Sequence, residues 1–253
     1  MLLFEPPPST RYDLRFTLAG IPIRVHPLFW VIAIFFGASA GDLIHLLLWV
    51  AIVFVSILIH ELGHALVMRL YGQPSHVVLH FAGGLTVPES RGWGSLWANI
   101  LLKPSQEILI SLAGPGAGFL FATLVMVIVV VAGGSIIWAP LFGVIPWFTA
   151  LLSTEESIAN WLVMTLLGVN LLWGLINLMP VYPLDGGNIA RHLLIQVDPL
   201  DGARKSLWIS VIAGASVAAI GLVLLHSTYV ALLFGLLAFQ SYQSLQGRVG
   251  GGF

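Results

Sequence analysis

The chain has 253 residues, of which 58% are hydrophobic and only 8% charged, with a mean hydropathy of +0.98. A net charge of −1 offers no basic surface to a nucleic acid, and the complete lack of cysteine excludes disulfides and thiolate metal ligands. Several apolar stretches approach or exceed the roughly 20 residues that cross a bilayer as a helix, so the composition specifies an integral membrane protein.

Residues 1–25 are mixed in polarity and read as an N-terminal interfacial segment. Met1–Pro8 lacks the basic stretch and apolar core of a cleaved signal peptide. Phe16–Val25, punctuated by Gly20 and Pro22, suggests short strands. The first apolar span, Pro27–Ala40, is short for a crossing and calls for an earlier start, tilt or local thinning of the bilayer. The second is Leu43–Leu70. Ser75–His80 has strand character and is followed by Phe81-Ala82-Gly83-Gly84-Leu85-Thr86. The third span, Ile108–Ala132, is interrupted by Gly114-Pro115-Gly116. Residues 133–157 are apolar but broken by Gly133, Gly134, Pro140, Gly143 and Pro146, as in a surface loop or a partial dip into the bilayer. The fourth span, Ile158–Met179, stops at Pro180, and Leu207–Leu225 and Tyr229–Ser241 are the fifth and sixth. The expected fold class is an all-α polytopic membrane protein of about six transmembrane helices with short interfacial strands and a re-entrant loop. It forms one domain, 1–253, with a catalytic core over 26–206 and a C-terminal helix pair over 207–253.

Charge orients this layout. All ten Lys and Arg fall before the first span, around 71–106, within 181–206 or in the tail, while the opposite connections carry Asp42, Glu155, Glu156 and His226. With six crossings those basic segments share one side, and the positive-inside rule places both termini in the cytoplasm.

The second span carries His60-Glu61-Leu62-Gly63-His64. Positions i and i+4 share a helix face, so the two imidazoles point the same way with Glu61 beside them. That spacing can bind one zinc and leave a carboxylate to move protons. The bland alternative is a satisfied buried histidine cluster, but ionisable groups within an apolar span are functional by default. His60 lies nine residues before Arg69, roughly 13 Å along a helix, within the cytoplasmic half of a hydrocarbon core about 30 Å thick.

A catalytic zinc needs a third protein ligand and an open position. Asp185, in Asn177-Leu178-Met179-Pro180-Val181-Tyr182-Pro183-Leu184-Asp185-Gly186-Gly187, follows the fourth span at matching depth. Its prolines end the helix and its glycine pair permits a tight turn. An ordinary Asp-Gly turn is the competing explanation. Among other polar residues, His26 reads as a helix cap or a neighbour of the site, and Asn170 as a polar contact between helices.

At these segments the chain resembles the site-2 protease family of intramembrane zinc metalloproteases, from Gly20-Ile21-Pro22-Ile23-Arg24-Val25-His26-Pro27 through the Asp-Gly-Gly turn. The resemblance implies one Zn2+ per chain held by His60, His64 and Asp185, with Glu61 as the catalytic carboxylate. It implies that Asn177 lies near the scissile carbonyl, and that Gly83, Gly84 and Leu85 belong to a loop that pairs with extended substrate. Ser111-Leu112-Ala113-Gly114-Pro115 resembles a further family segment, although Gly118 stands where many relatives have Asn. The implied substrate is a transmembrane protein, such as an anti-sigma factor or similar regulator, in a prokaryotic cytoplasmic membrane. No polar segment here is long enough for the PDZ or CBS domains many relatives carry, so a minimal catalytic form is expected.

Three other functions compete. A transporter or metal channel also uses broken helices and intramembrane His and Asp, but needs no Glu beside a His pair. A proteolytically inactive relative would have degraded motifs, and these are intact. A membrane zincin cutting prenylated tails usually takes a Glu from another helix as its third ligand.

Overall fold

The computed structural model describes residues 6–38, 41–89, 102–141, 145–152 and 157–250. Arg91, Glu155 and Glu156, which entered the charge argument, and residues 1–5, read for a signal peptide, lie outside them. The fold is mostly helical, with a four-stranded sheet and a two-stranded one among the described residues. Among the described residues, four helices are long and apolar enough to cross a membrane: Leu43–Leu70 (α2), Pro104–Val131 (α3), Ile158–Asn177 (α4) and Gly202–Val223 (α6). The helix Pro27–Gly37 (α1) has 11 residues and reaches only about 16 Å. In the last helix, Thr228–Gly250 (α7), the apolar run gives way after Phe239 to Gln240-Ser241-Tyr242-Gln243-Ser244.

The chain divides into two compact units, 1–100 with 113–174, and 101–112 with 175–253. In the first, a four-stranded sheet runs in the order Leu14–Leu18 (β1), Ile21–Val25 (β2), Ser75–His80 (β3), Gly83–Pro88 (β4). Ala19 and Gly20 take positive φ values of 51° and 75°, the two-residue turn that matches strand twist. Arg69, in the last turn of α2, donates to the Ala19 carbonyl oxygen at 2.5 Å and so ties that turn to the helix end. β2 leads into α1, whose N-cap His26 accepts from the Leu28 N–H at 3.2 Å. After α2 the chain returns as β3, parallel to β2, so α1 and α2 form the crossover. The apolar faces of β2 and β3 meet Phe29, Ile57, Leu58 and Ala65 in one core. β4 then pairs antiparallel with β3 in the register His80↔Gly83 to Ser75↔Pro88, and forms the edge of the sheet.

Gly83–Pro88 is therefore a strand, where the resemblance implies a loop at Gly83, Gly84 and Leu85. Gly83, at φ 121°, closes the two-residue turn Phe81-Ala82, and Leu85-Thr86-Val87 supplies the β-branched character that carries the ladder onward. Residues 133–157 also depart from expectation. They contain an antiparallel hairpin, Ser135–Leu141 (β5) and Ile145–Leu151 (β6). Its two prolines, Pro140 and Pro146, lie opposite each other one pair from the end of the ladder, where a missing N–H disturbs it least. α3 runs unbroken through Gly114-Pro115-Gly116. Proline deprives one preceding carbonyl of its helical partner, and dense packing of the fully buried Pro115 offsets that loss.

In the second unit, Asp185–Val197 forms a helix (α5) where the sequence suggests a turn, followed by α6 and α7. α6 and α7 meet through small residues: a Cβ on Gly214 would come 3.1 Å from the Ala238 Cβ, and one on Gly221 2.7 Å from Val230. The 178–184 connection is anchored by Ser210, whose hydroxyl accepts from the Tyr182 N–H at 3.0 Å.

His80 gives this fold an acid sensitivity. It is 2% exposed. Burial, together with His26 and Arg24 nearby, pushes its pKa down from 6.5 to about 4. The folded protein thus holds it neutral while the unfolded chain protonates it near pH 6.5. Stability is retained above pH 6.5 and lost as the pH falls towards 4, by roughly 3 kcal/mol in all. Unfolding followed in detergent between pH 7 and pH 4 should show a shallower pH dependence for His80→Gln than for the wild type.

Candidate metal centre and active site

α2 is apolar around almost its whole circumference, and one stripe of it is not. Ser56, His60, Glu61, Gly63 and His64 are all buried. The helical repeat of 3.6 residues stacks His60 and His64, and their Nε2 atoms stand 3.1 Å apart, with ring centroids separated by 4.8 Å. Two glycines allow α3 to press against this stripe. A Cβ on Gly63 would meet the Ala113 carbonyl and come 2.8 Å from the Ala117 Cβ. A Cβ on Gly114 would collide with the His64 ring and come 2.8 Å from the His60 Nε2. Gly114 therefore leaves the space that both imidazole nitrogens use. Two nitrogens converging in an apolar wall, with a carboxylate alongside and no thiolate in the chain, suit a metal such as zinc that accepts His and Asp or Glu.

Glu61 is 5% exposed and turns towards β4. Residues i and i+2 of a strand share a face, and Gly84 and Thr86 both use theirs on Glu61. A Cβ on Gly84 would come within 2.5 Å of the carboxylate Oε1, so only glycine leaves the side chain its place. The Thr86 hydroxyl donates to Glu61 Oε2 at 2.7 Å and lies 3.0 Å from the Glu61 carbonyl oxygen. A Cβ on the neighbouring Gly83 would come 3.1 Å from the Trp173 ring, so this end of the strand also has no room for a side chain. His60, His64, Glu61, Gly83 and Gly84 thus gather in the first unit, with Leu85 following on the same strand.

Asp185 and Asn177 belong to the second unit. Asn177 is the last residue of α4 and Asp185 the first of α5, after the N-cap Leu184. A negative side chain is favoured in the first turn of a helix. The glycines after it do not make a turn, as expected, but are helical. A Cβ on Gly186 would come 2.5 Å from the Met179 carbonyl oxygen, and one on Gly187 2.7 Å from the Tyr182 Cα. Asp-Gly-Gly is a helix start pressed against the preceding chain, and the glycines serve close approach in place of a positive φ.

The remaining polar expectations resolve simply. His26 caps α1. Asn170 bridges helices, donating to the Ser56 hydroxyl at 2.9 Å and to the Leu166 carbonyl at 2.8 Å. A Cβ on Gly118 would rest 3.7 Å from the Asn170 side-chain oxygen, an ordinary contact. Two participants escape a reading of the sequence alone, Thr86 and the cradle at Gly114. The alternation Gly84-x-Thr86 is the available signal for Thr86, but it becomes readable only once the segment is known to be a strand.

Comparison with known proteins places this arrangement in a family. Residues 48–220, which include the whole of α2 from Leu48 onwards as well as α3, α4 and α5, match peptidase family M50. A zinc metalloprotease of Methanocaldococcus jannaschii is 27% identical over 231 residues, 90% of this chain and 55% of that protein. A protein of Synechocystis sp. is 29% identical over 196 residues, 72% of this chain and 44% of the other. The chain thus spans about half the length of the curated relatives it matches. Among solved structures, the site-2 protease from M. jannaschii superposes with a TM-score of 0.55 at 26% identity, covering 92% of this chain and 95% of that one. A match over more than half of the chain, containing the buried His-Glu-x-x-His stripe, establishes that this protein belongs to peptidase family M50.

Proposed function

We propose that the chain is an intramembrane zinc metalloprotease that hydrolyses peptide bonds within or near transmembrane segments of other membrane proteins. The observation that carries this reading is the Glu61 carboxylate, buried beside two convergent imidazoles and laid against the edge strand of a sheet. A transporter has no use for a carboxylate braced in this way against a strand.

His60, His64 and Asp185 hold one zinc in this reading. When bound, the metal would supply Lewis-acid polarisation and lower the pKa of water towards neutrality. Glu61 accepts the proton of the attacking water and passes it to the leaving amine nitrogen. The Asn177 amide donates to the scissile carbonyl oxygen as negative charge develops there. A helical substrate hides its carbonyls in its own hydrogen bonds, so a stretch must unwind before attack. The outer edge of β4, at Gly83, Gly84 and Leu85, which pairs with no other strand among the described residues, offers backbone groups on which that stretch pairs as an added strand.

The wider setting follows the charge pattern. The chain is one domain that crosses the membrane six times with both termini in the cytoplasm and the site in the cytoplasmic half, in a prokaryotic cytoplasmic membrane. Its substrates are transmembrane regulators of the anti-sigma type. The four long apolar helices and the family membership support the membrane setting, and the count of six and the orientation rest on the charge pattern.

The test is cleavage of a transmembrane peptide with a helix-breaking centre by the purified protein in detergent or liposomes. A zinc chelator should abolish cleavage, and stoichiometric zinc should restore it. Cleavage that persists in metal-free protein would overturn the proposal.

A further inference from the structure

The Thr86 hydroxyl is a single donor facing two oxygens of one residue. Glu61 Oε2 is 2.7 Å away and the Glu61 carbonyl oxygen 3.0 Å. The carbonyl belongs to the α2 backbone, so the hydroxyl is pinned to the helix axis and to the tip of the side chain together. This closes a ring between α2 and β4 in which the Glu61 side-chain torsions are held. Gly84, two residues earlier on the same face, removes the one Cβ that would push the carboxylate out of this position. A free Glu side chain keeps three rotatable bonds, and if Glu61 swings away the carboxylate loses the Thr86 donor, which stays beside the carbonyl.

We propose that Thr86 is a positioning residue that holds the Glu61 carboxylate in its proton-transfer orientation and ties that orientation to the seating of β4. The inference rests on the protease reading, in which β4 is also the edge that receives substrate. One strand then presents its face to the base and its edge to the peptide. A displacement of β4 moves both together, and the scissile bond keeps its register with the carboxylate. Proton transfer requires hydrogen-bond reach between base and water, and a misplacement of about 1 Å can cost on the order of 100-fold in rate.

Thr86→Val keeps the shape of the side chain and removes the hydroxyl, whereas Thr86→Ser keeps the hydroxyl. The Val variant should lose about 10- to 100-fold in kcat with KM within about twofold of wild type and zinc content unchanged. The Ser variant should recover kcat to within about threefold. An unchanged kcat in the Val variant, equal loss in Val and Ser, or a rise in KM alone would each overturn the proposal. A wild-type protein that cleaves nothing would defeat the protease reading instead. The contact is then tested by melting temperature in a cycle of Thr86→Val, Glu61→Ala and the double variant, since alanine removes the accepting oxygen. A double variant melting no lower than the worse single one upholds the coupling, and strictly additive shifts overturn it.

Discussion

Glu61→Gln should abolish cleavage of a transmembrane peptide, by about 100- to 10,000-fold, while one zinc per chain is retained. The substitution preserves length and branching, so the hollow at Gly84 still admits the side chain and its amide oxygen can still accept from Thr86. What disappears is the capacity to take up a proton. The ring nitrogens of His60 and His64, 3.1 Å apart on the same helix, are untouched. Metal analysis of the variant beside a cleavage assay separates the two properties. Retained zinc with lost cleavage identifies Glu61 as the proton carrier, whereas cleavage at the wild-type rate would remove it from the mechanism.

Gly114→Ala should do the opposite of what helix propensity predicts. In a helix interior, alanine is ordinarily better than glycine by roughly 0.5–1 kcal/mol. At position 114, however, the added methyl collides with the His64 ring and crowds the His60 Nε2 at 2.8 Å. Either the imidazoles leave their shared orientation or α3 moves off α2, where Gly63 already packs against Ala113 and Ala117. Zinc affinity should fall by about 100-fold or more, comparable with or beyond the loss of a supporting partner, and cleavage should fall with it. Gly116→Ala is the control, because among the described residues no other part of the fold lies within 4 Å of its added methyl. That variant should bind zinc normally and melt at the wild-type temperature or slightly above it. Equal zinc affinities for the two variants would show that Gly114 does not shape the metal centre.

Much of this is readable from local pattern. The limits of α2, Leu43–Leu70, and of β3, Ser75–His80, follow from an uninterrupted apolar run ended by Tyr71-Gly72 and from β-branched residues after a proline. The β1–β2 hairpin is foreshadowed by Gly20, which its two-residue turn uses with positive φ. Where glycines and prolines read as breakers the expectation fails, because their role is set by neighbours. Gly114 and Pro115 lie within a continuous helix since tight packing against α2 outweighs their poor propensity. Gly83 and Gly84 begin a strand since a ring and a carboxylate occupy the space beside them. Gly186 and Gly187 open α5 because the chain before them passes too close for a side chain.

The amino-acid sequence by itself determined the membrane setting, the His60–His64 pair with Glu61, and the choice of nitrogen and carboxylate donors, because these depend on composition and on the 3.6-residue repeat alone. Only the tertiary structure decided which way Glu61 turns, what holds it, and what makes room for the imidazoles. Thr86 reaches Glu61 across 25 positions of chain, and Gly114 meets His64 across a still longer interval. Contacts between such distant positions depend on how helix and strand pack, and no local periodicity encodes them.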